Sequence, residues 1–582
     1  MIDSFALALV LVAEPQAPPT RSAVTVDATG GSAYGQLAAA SGGDFSGVLW
    51  VSGHLDGGRS GVYLSRSDGR GVDWADPIRL DGDPTGSVAR IAGDALQVAG
   101  NGVYALWSDG RNAIPGNSVM ESDLWLAVST DGGATWGPER RLDPGLHKPF
   151  SVMESTFAVD SLGTADPADD HLLVAALLAT AGGSELRFLA SRDGGRHWEP
   201  PRPMAAGAAD VRMSVDGPRV HLLWSEHHGF DHQWLYQRSE DGGRHWLPQP
   251  VPITQRSPEV LTGAGAVAAE GPVVAVAWTE HGATGLGPVL RVRVSGDGGR
   301  HFGVPTLVGN YPAGRAAVRS PTLLVDRGTT VAAWSDNRAA LDQDFFQAFA
   351  AASRDLGHTW FESPLSPGEG REVQFARGGP ERSQLVAVWT TSLFQGHVEA
   401  SISRDGGLHW SPGFRVNDRP DHVLLARVAW NARYDNAVVA WLGVNSIQRI
   451  RSMAGGFRPQ WVHPEGFLTP GGIGWFSIGG FPRRDEGLPF GVLISAGTGH
   501  WGPAHGFRDT GLLHDPLLEG SYRLLQQGAL NGTVLPGGIG TTPPLTIPPA
   551  LARGKPLFCA AVAWGSAGRP GALTDVVEFA LN

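Results

Sequence analysis

A chain of 582 residues with 81 Gly, 42 Pro and 20 Trp beside many short Val/Ala/Leu runs spends its length on numerous short strands and tight turns, not on long helices. Its formal net charge of -12 supplies no basic field for a phosphate backbone, which argues against nucleic acid as a partner. The one cysteine, Cys559, excludes an intrachain disulfide and any Cys-based zinc site, and its apolar neighbours predict an inert buried thiol.

The first element, residues 1–21, holds about ten apolar residues, too few to span a bilayer, and lacks a basic flank; it reads as an arm or a weak signal-like segment. No membrane span is expected. The next, SAVTVDA from Ser22, reads as a strand. A pattern then recurs: a short apolar segment such as VYALWSD around Trp107 or VAVAWTE around Trp278, a polar turn, a second strand such as DLWLAVS or VLRVRVS, and an eight-residue box.

The boxes are STDGGATW from Ser129, SRDGGRHW from Ser191, SEDGGRHW from Ser239, SGDGGRHF from Ser295, SRDLGHTW from Ser353 and SRDGGLHW from Ser403. Looser versions flank them, SRSDGRGVDW ending at Trp74 and SMAGGFRPQW ending at Trp461, the latter with Ala454 at the carboxylate position. Box aromatics lie between 48 residues apart, Trp198 to Trp246, and 62 apart, Trp136 to Trp198. Such a period marks blades or an array. The letters have a structural reading: Asp131, Asp193, Asp241, Asp297, Asp355 and Asp405 accept turn N–H groups, and the glycines take positive φ. Trp136, Trp198, Trp246, Phe302, Trp360 and Trp410 are then expected to wedge between sheets, each burial worth about 1.5–3 kcal/mol.

This motif resembles the Asp-box, or bacterial neuraminidase repeat, of sialidase-like proteins, over roughly residues 40 to 461. The resemblance implies a β-propeller with the boxes on the face opposite the active site, and an all-β fold class. Eight blades follow from the count, seven if the long third unit or the divergent eighth is not a blade. SAVTVDA is expected to close the ring beside the last unit, and the propeller is assigned to 22–465. Residues 466–582, with candidate strands FGVLISA, YRLLQQ, FCAAVAWG and DVVEFAL, read as a smaller β domain, a sandwich being one form.

On the box-free face the turns collect polar groups. Asp109, Glu226, Glu280 and Asp336 follow the Trp column and are candidate glycosidase carboxylates, with capping of the hairpin as the competing structural reading. Arg111, His227, His228, Arg315, Arg319 and Arg338 are candidate ligand-binding groups, joined by His147, Lys148 and Glu154. The resemblance implies an arginine triad for the sugar carboxylate, a tyrosine nucleophile with a glutamate, for which Tyr311 and Glu280 are the candidates, and an aspartic general acid; the family's Arg-Ile-Pro signature has no counterpart here.

These readings converge on a sialidase-like propeller engaging a glycan, with glycoside hydrolysis open. It would be extracellular or surface-exposed, with no cofactor and no metal. The alternative is a non-enzymatic attachment or scaffold protein, on a virion or cell surface, using the C-terminal domain to dock or form homo-oligomers.

Overall fold

The computed structural model describes residues 24–25 and 32–580, apart from short stretches, chiefly 54–59, 114–120, 143–149, 259–264, 282–287, 312–316, 339–344, 379–383, 418–421, 445–449, 458–460, 467–472, 497–511, 548–555 and 565–569. The expected arm, 1–21, lies outside the described residues. The described residues divide into two compact units, one within Thr20–Phe457, the other within Arg458–Asn582.

Within the first unit the described residues form eight antiparallel sheets, numbered here in chain order, nearly all of four strands. Their first strands are Ser32–Gly42, Leu96–Ala99 preceded by Ala89–Arg90, Phe150–Asp160, Ala208–Asp216, Ala266–Glu270, Arg319–Asp326, Arg371–Gly378 and His422–Asn431. Each first strand packs on that of the next sheet, and His422–Asn431 packs back on Ser32–Gly42, so the sheets follow one another around a closed ring. Val24–Thr25, from the expected closing segment, pairs with Ile450–Phe457 as the outermost strand of the eighth sheet.

Second strands are apolar along nearly their whole length because a neighbouring sheet covers each face; Val273–Trp278 is buried throughout. Their tryptophans, Trp50, Trp107, Trp224, Trp278, Trp334, Trp389 and Trp441, are at most 2% exposed. Hydrophobic clusters lie between adjacent sheets and not at the ring axis, for example Leu223, Tyr236, Val274 and Trp278 between the fourth and fifth.

Each full box begins at the last residue of a third strand. In the second sheet Ser129 Oγ donates to Asp131 Oδ1 at 2.8 Å and accepts from Gly133 N at 2.9 Å. Asp131 accepts from Thr135 N at 2.9 Å and Thr135 Oγ1 at 2.6 Å. The same net recurs at Asp193, Asp241, Asp297, Asp355 and Asp405. Two consecutive positive φ values, such as +68° and +88° at Gly242 and Gly243, explain the paired glycines; Leu356 takes the first of these positions at +57°. The terminal ring turns inward against the preceding sheet: Trp246 meets Phe188 edge-on at 4.9 Å and Phe302 meets Tyr236 at 5.0 Å. Trp136, Trp198, Trp360 and Trp410 likewise pack on inter-sheet clusters.

The eighth unit departs from the expected box. Ser452 to Phe457 continue as strand, because Ala454 offers no carboxylate to gather turn N–H groups.

The turn network makes an acid-sensitive lock. The hydroxyl and backbone N–H of Thr135 hold Asp131 down to about 2, and those of Thr359 do the same for Asp355. A carboxyl depressed on folding from about 3.9 stabilises the fold above that value and loses the contribution as pH falls through the folded pKa. Denaturant melts across pH 5 to 2 are expected to show stability falling mainly between about 4 and 2, with a shallower fall when Asp131 and Asp355 are both changed to Asn. An unchanged slope in that variant would remove these two boxes as the cause.

In the C-terminal unit, Pro489–Ser495 and Pro556–Trp564 form the centre of one sheet, and Trp461–Gly466 pairs with Ile473–Gly479 in a second. Cys559, a residue of Pro556–Trp564, is buried in the core it shares with Phe490, Val492 and Leu518. The expected strand YRLLQQ is instead part of a helix, Pro516–Gln526. Leu518, Ser521 and Leu525 fall on one helical face, which is buried, and Pro516 opens the first turn where it forfeits no hydrogen bond.

Candidate functional site

A cavity of about 860 Å³ lies where the eight first strands converge, and every one of those sheets contributes to its wall: Gln36, Arg90, Glu154, Arg212, Gly265, Ser320, Gln374 and Arg427 in chain order. Pairing register places it along the ring axis. In the third sheet the box starts opposite Leu172, at the beginning of the second strand, whereas cavity residues Val152 and Thr156 lie opposite Leu178 and Ala175. The cavity is thus displaced from the boxes toward the opposite ends of the strands.

The wall is shaped by departures from regular pairing. Pairing shifts by a residue between Val152 and Glu154, between Arg319 and Thr322 and between Arg371 and Gln374. Ser320 and Glu372 sit at φ of 49° and 55° inside the last two bulges, and Ser320 Oγ donates to Glu372 Oε1 at 2.8 Å. The first strand of the second sheet is interrupted between Arg90 and Leu96, and the freed segment carries Gly93 and Asp94 to the wall.

Innermost strands have one edge without a strand partner, and side chains bridge these edges around the ring. Gln36 Oε1 accepts from Ile91 N at 2.7 Å, Asp94 Oδ2 from Phe157 N at 3.0 Å and Thr156 Oγ1 at 2.6 Å, and Glu154 Oε2 from Val211 N at 3.0 Å. Ser214 Oγ accepts from Ala269 N at 3.1 Å. Glu154 also binds Arg212 Nη1 at 2.6 Å. Burial raises the Asp94 carboxyl above its ordinary range, and its Oδ1 is enclosed with no hydrogen-bond partner among the described residues.

Arg90 and Arg427 differ from this bridging set. Neither is hydrogen-bonded or ion-paired to a carboxylate among the described residues, and Arg427 spends one N–H on the carbonyl of Ala426 at 3.0 Å. Burial lowers the Arg427 guanidinium below its ordinary range, with Glu372 and Asp94 acting in the opposite sense. Arg90, which is exposed, and Arg427, which is half-buried, both line this open polar space, and guanidinium groups so placed can hold a carboxylate or sulfate.

The four candidate carboxylates lie elsewhere, one in each of four sheets. Residues i and i+2 of a strand share a face, so each carboxylate of W-x-[DE] reaches its own tryptophan. Trp107 Nε1 donates to Asp109 at 3.0 Å, Trp224 to Glu226 at 3.1 Å, Trp278 to Glu280 at 3.0 Å and Trp334 to Asp336 at 2.7 Å. Asp109 and Asp336 are fully buried and paired with Arg111 and Arg338 at 2.6 Å, which bind Glu139 and Glu362 in turn. Glu280 is paired with Arg291 at 2.8 Å.

Tyr311 donates its hydroxyl to Val308 O at 2.6 Å beneath the Arg338 guanidinium, and burial raises its pKa. It is not brought to Glu280. Arg319 lies 4.3 Å over the Phe346 ring, next to the wall residue Ser320. His227 meets His232 edge-on at 4.5 Å. Arg315, His147, Lys148 and the His228 side chain lie outside the described residues. Of the sequence candidates among the described residues, only Glu154 lines the cavity. Gly93, Asp94, Arg90, Arg212 and Arg427 were missed; the available signal was a charge inside an otherwise apolar first strand, as in ADVRMSV and HVLLARVAW. Among the described residues no cluster of His, Cys, Asp and Glu suits a metal ion, and no helix is long and apolar enough to cross a membrane.

No family model matches the chain, and no curated protein matches it. Solved structures do resemble it. The β-propeller domain of the trilobed protease from Pyrococcus furiosus is 8% identical, over 67% of this chain and 96% of its own, with a TM-score of 0.39. A PL25 ulvan lyase is 13% identical, over 62% and 90%, with a TM-score of 0.40. The GH93 α-L-arabinofuranosidase of Fusarium graminearum is 12% identical, over 53% and 93%, with a TM-score of 0.33. These neighbours are β-propellers. The likeness concerns the course of the chain and says nothing of chemistry at the cavity.

Proposed function

We propose that this chain is an eight-bladed Asp-box propeller that binds an acidic carbohydrate in its axial cavity, on the side away from the boxes. One observation carries the reading: Arg90 and Arg427 line a cavity of about 860 Å³ with no hydrogen bond or ion pair to a carboxylate among the described residues, while the surrounding carboxylates are engaged in bridging the strands. Sugar hydroxyls suit the remaining wall, where Gln374, Ser320 and Gln36 supply amides and a hydroxyl. The Trp-linked Asp109, Glu226, Glu280 and Asp336 serve the blades in this reading.

Calorimetric titration of the full chain with sialyllactose, a glucuronate-terminated disaccharide and lactose tests the proposal. Acidic sugars are expected to bind and lactose to bind far more weakly. Arg427→Ala is expected to reduce acidic-sugar affinity by about 10–100-fold, the usual consequence of losing a charge-assisted contact. Equal affinity for lactose, or an Arg427→Ala protein that binds like the parent, would refute it.

A further inference from the structure

We infer that His227 and His232 form a two-histidine site for a divalent copper or nickel ion, at the end of the fourth sheet that its box does not occupy. The site does not depend on the sugar reading. In the sequence HHGFDH, His228 and His232 stand at the four-residue spacing of a zinc-binding helix. The chain instead forms a hairpin: Arg219–His228 and Asp231–Ser239 pair antiparallel, and His227 stands directly opposite His232. Backbone bonds fix the kind of pair. His232 donates to Ser257 O at 3.0 Å and accepts from Ser257 N at 3.2 Å, and His227 N donates to Gly207 O at 3.4 Å, each on the side away from the other. The two are therefore a non-hydrogen-bonded pair, the arrangement in which opposed side chains stand closest.

The two ring centroids lie 4.5 Å apart. Nitrogen–metal bonds of about 2.1 Å put each imidazole centroid about 3.2 Å from a shared ion, so this separation corresponds to an angle of about 90° at the metal. A tetrahedral angle would need about 5.2 Å. Right-angled nitrogen ligands suit tetragonal Cu²⁺ and Ni²⁺ better than Zn²⁺, and the χ2 torsion that aims each nitrogen is broad. Imidazole ligates in its neutral form. Burial and the neighbouring His227 lower the His232 pKa, and its Nδ1, enclosed without a hydrogen-bond partner among the described residues, gives an imidazolium proton no acceptor. Asp231 and Asp210 act on this ring in the opposite sense and favour a cation beside it. Two protein ligands are fewer than the three or four of a catalytic or structural centre; water completes the shell and leaves positions open to an exchanging oxygen ligand.

The test is calorimetric titration of the full chain with Cu²⁺ and Ni²⁺, joined by electron paramagnetic resonance of the copper form and by thermal melting. One equivalent is expected to bind more tightly than any other, with nitrogen hyperfine splitting from two imidazoles. His227→Ala and His232→Ala are each expected to weaken that equivalent at least tenfold. His245→Ala, which removes a box imidazole 90% exposed to solvent, is expected to leave it unchanged. Ni²⁺ is expected to raise the melting temperature of the parent and of His245→Ala but of neither hairpin variant. Should His232→Ala melt lower without metal, His227→Ala at its exposed position still decides. Parent-like affinity in His227→Ala, or a resonance showing a single imidazole, would overturn the site. Loss of the tight equivalent in His245→Ala would overturn it in favour of the boxes.

Discussion

Gly299→Ala is expected to destabilise the ring by about 2–4 kcal/mol, combining left-handed backbone strain with overpacking of a closed interface. Gly299 has a φ of +83°, and a Cβ there would lie 2.1 Å from the Tyr236 hydroxyl of the preceding sheet. Tyr236 has nowhere to retreat. It is fully buried, its hydroxyl meets His221 Nδ1 at 2.6 Å, and its ring receives Phe302 edge-on. Gly271→Ala separates the two causes, since φ is +58° and nothing lies within 4 Å of the added methyl. Urea denaturation should show a loss of about 1 kcal/mol for Gly271→Ala, the left-handed cost alone, and a clearly larger one for Gly299→Ala. Equal losses would mean that the turn governs stability and the interface contributes nothing.

Asp336→Asn is the second large effect, expected to cost about 3 kcal/mol while leaving acidic-sugar affinity in the cavity unchanged. The carboxylate is fully buried and accepts from Trp334 Nε1, from Arg338 N at 3.1 Å and from the Arg338 guanidinium. Removing one member of a buried ion pair leaves the other without compensation, a loss of about 3–5 kcal/mol; Glu362, 2.8 Å from Arg338 Nη1, offsets part of it. Urea melts and calorimetric titration of the same preparation read both quantities. A stable Asp336→Asn protein with abolished binding would return this carboxylate to the ligand site.

The two experiments also mark where sequence reading succeeds. The box turn was legible because its causes are local: Ser239, Asp241, Gly243 and Trp246 stand within eight letters, and their contacts need only the backbone between them. The Trp column was legible as strand for the same reason. Its carboxylates looked catalytic because sequence shows residue type and order, whereas the bond from Trp334 to Asp336 depends on both side chains sharing one strand face. The cavity was not legible. Its wall is assembled from single residues about fifty positions apart, exposed by bulges and an interrupted strand that carry no fixed letters, and Arg427 reads in HVLLARVAW as an incidental charge. The helix at Pro516–Gln526 was misread because PLLEGSYRLLQ is short, and its buried face is only three residues long.

The pairing of Val24 and Thr25 with Met453 and Ala454 ties the ring's completion to the order of synthesis. Seven sheets can assemble from consecutive stretches of chain as they leave the ribosome, yet the eighth needs a strand made hundreds of residues earlier. That segment meets its partner strand only after the intervening chain has been translated. Its insertion closes the ring between segments far apart in the chain, at an entropy cost that grows only slowly with their separation.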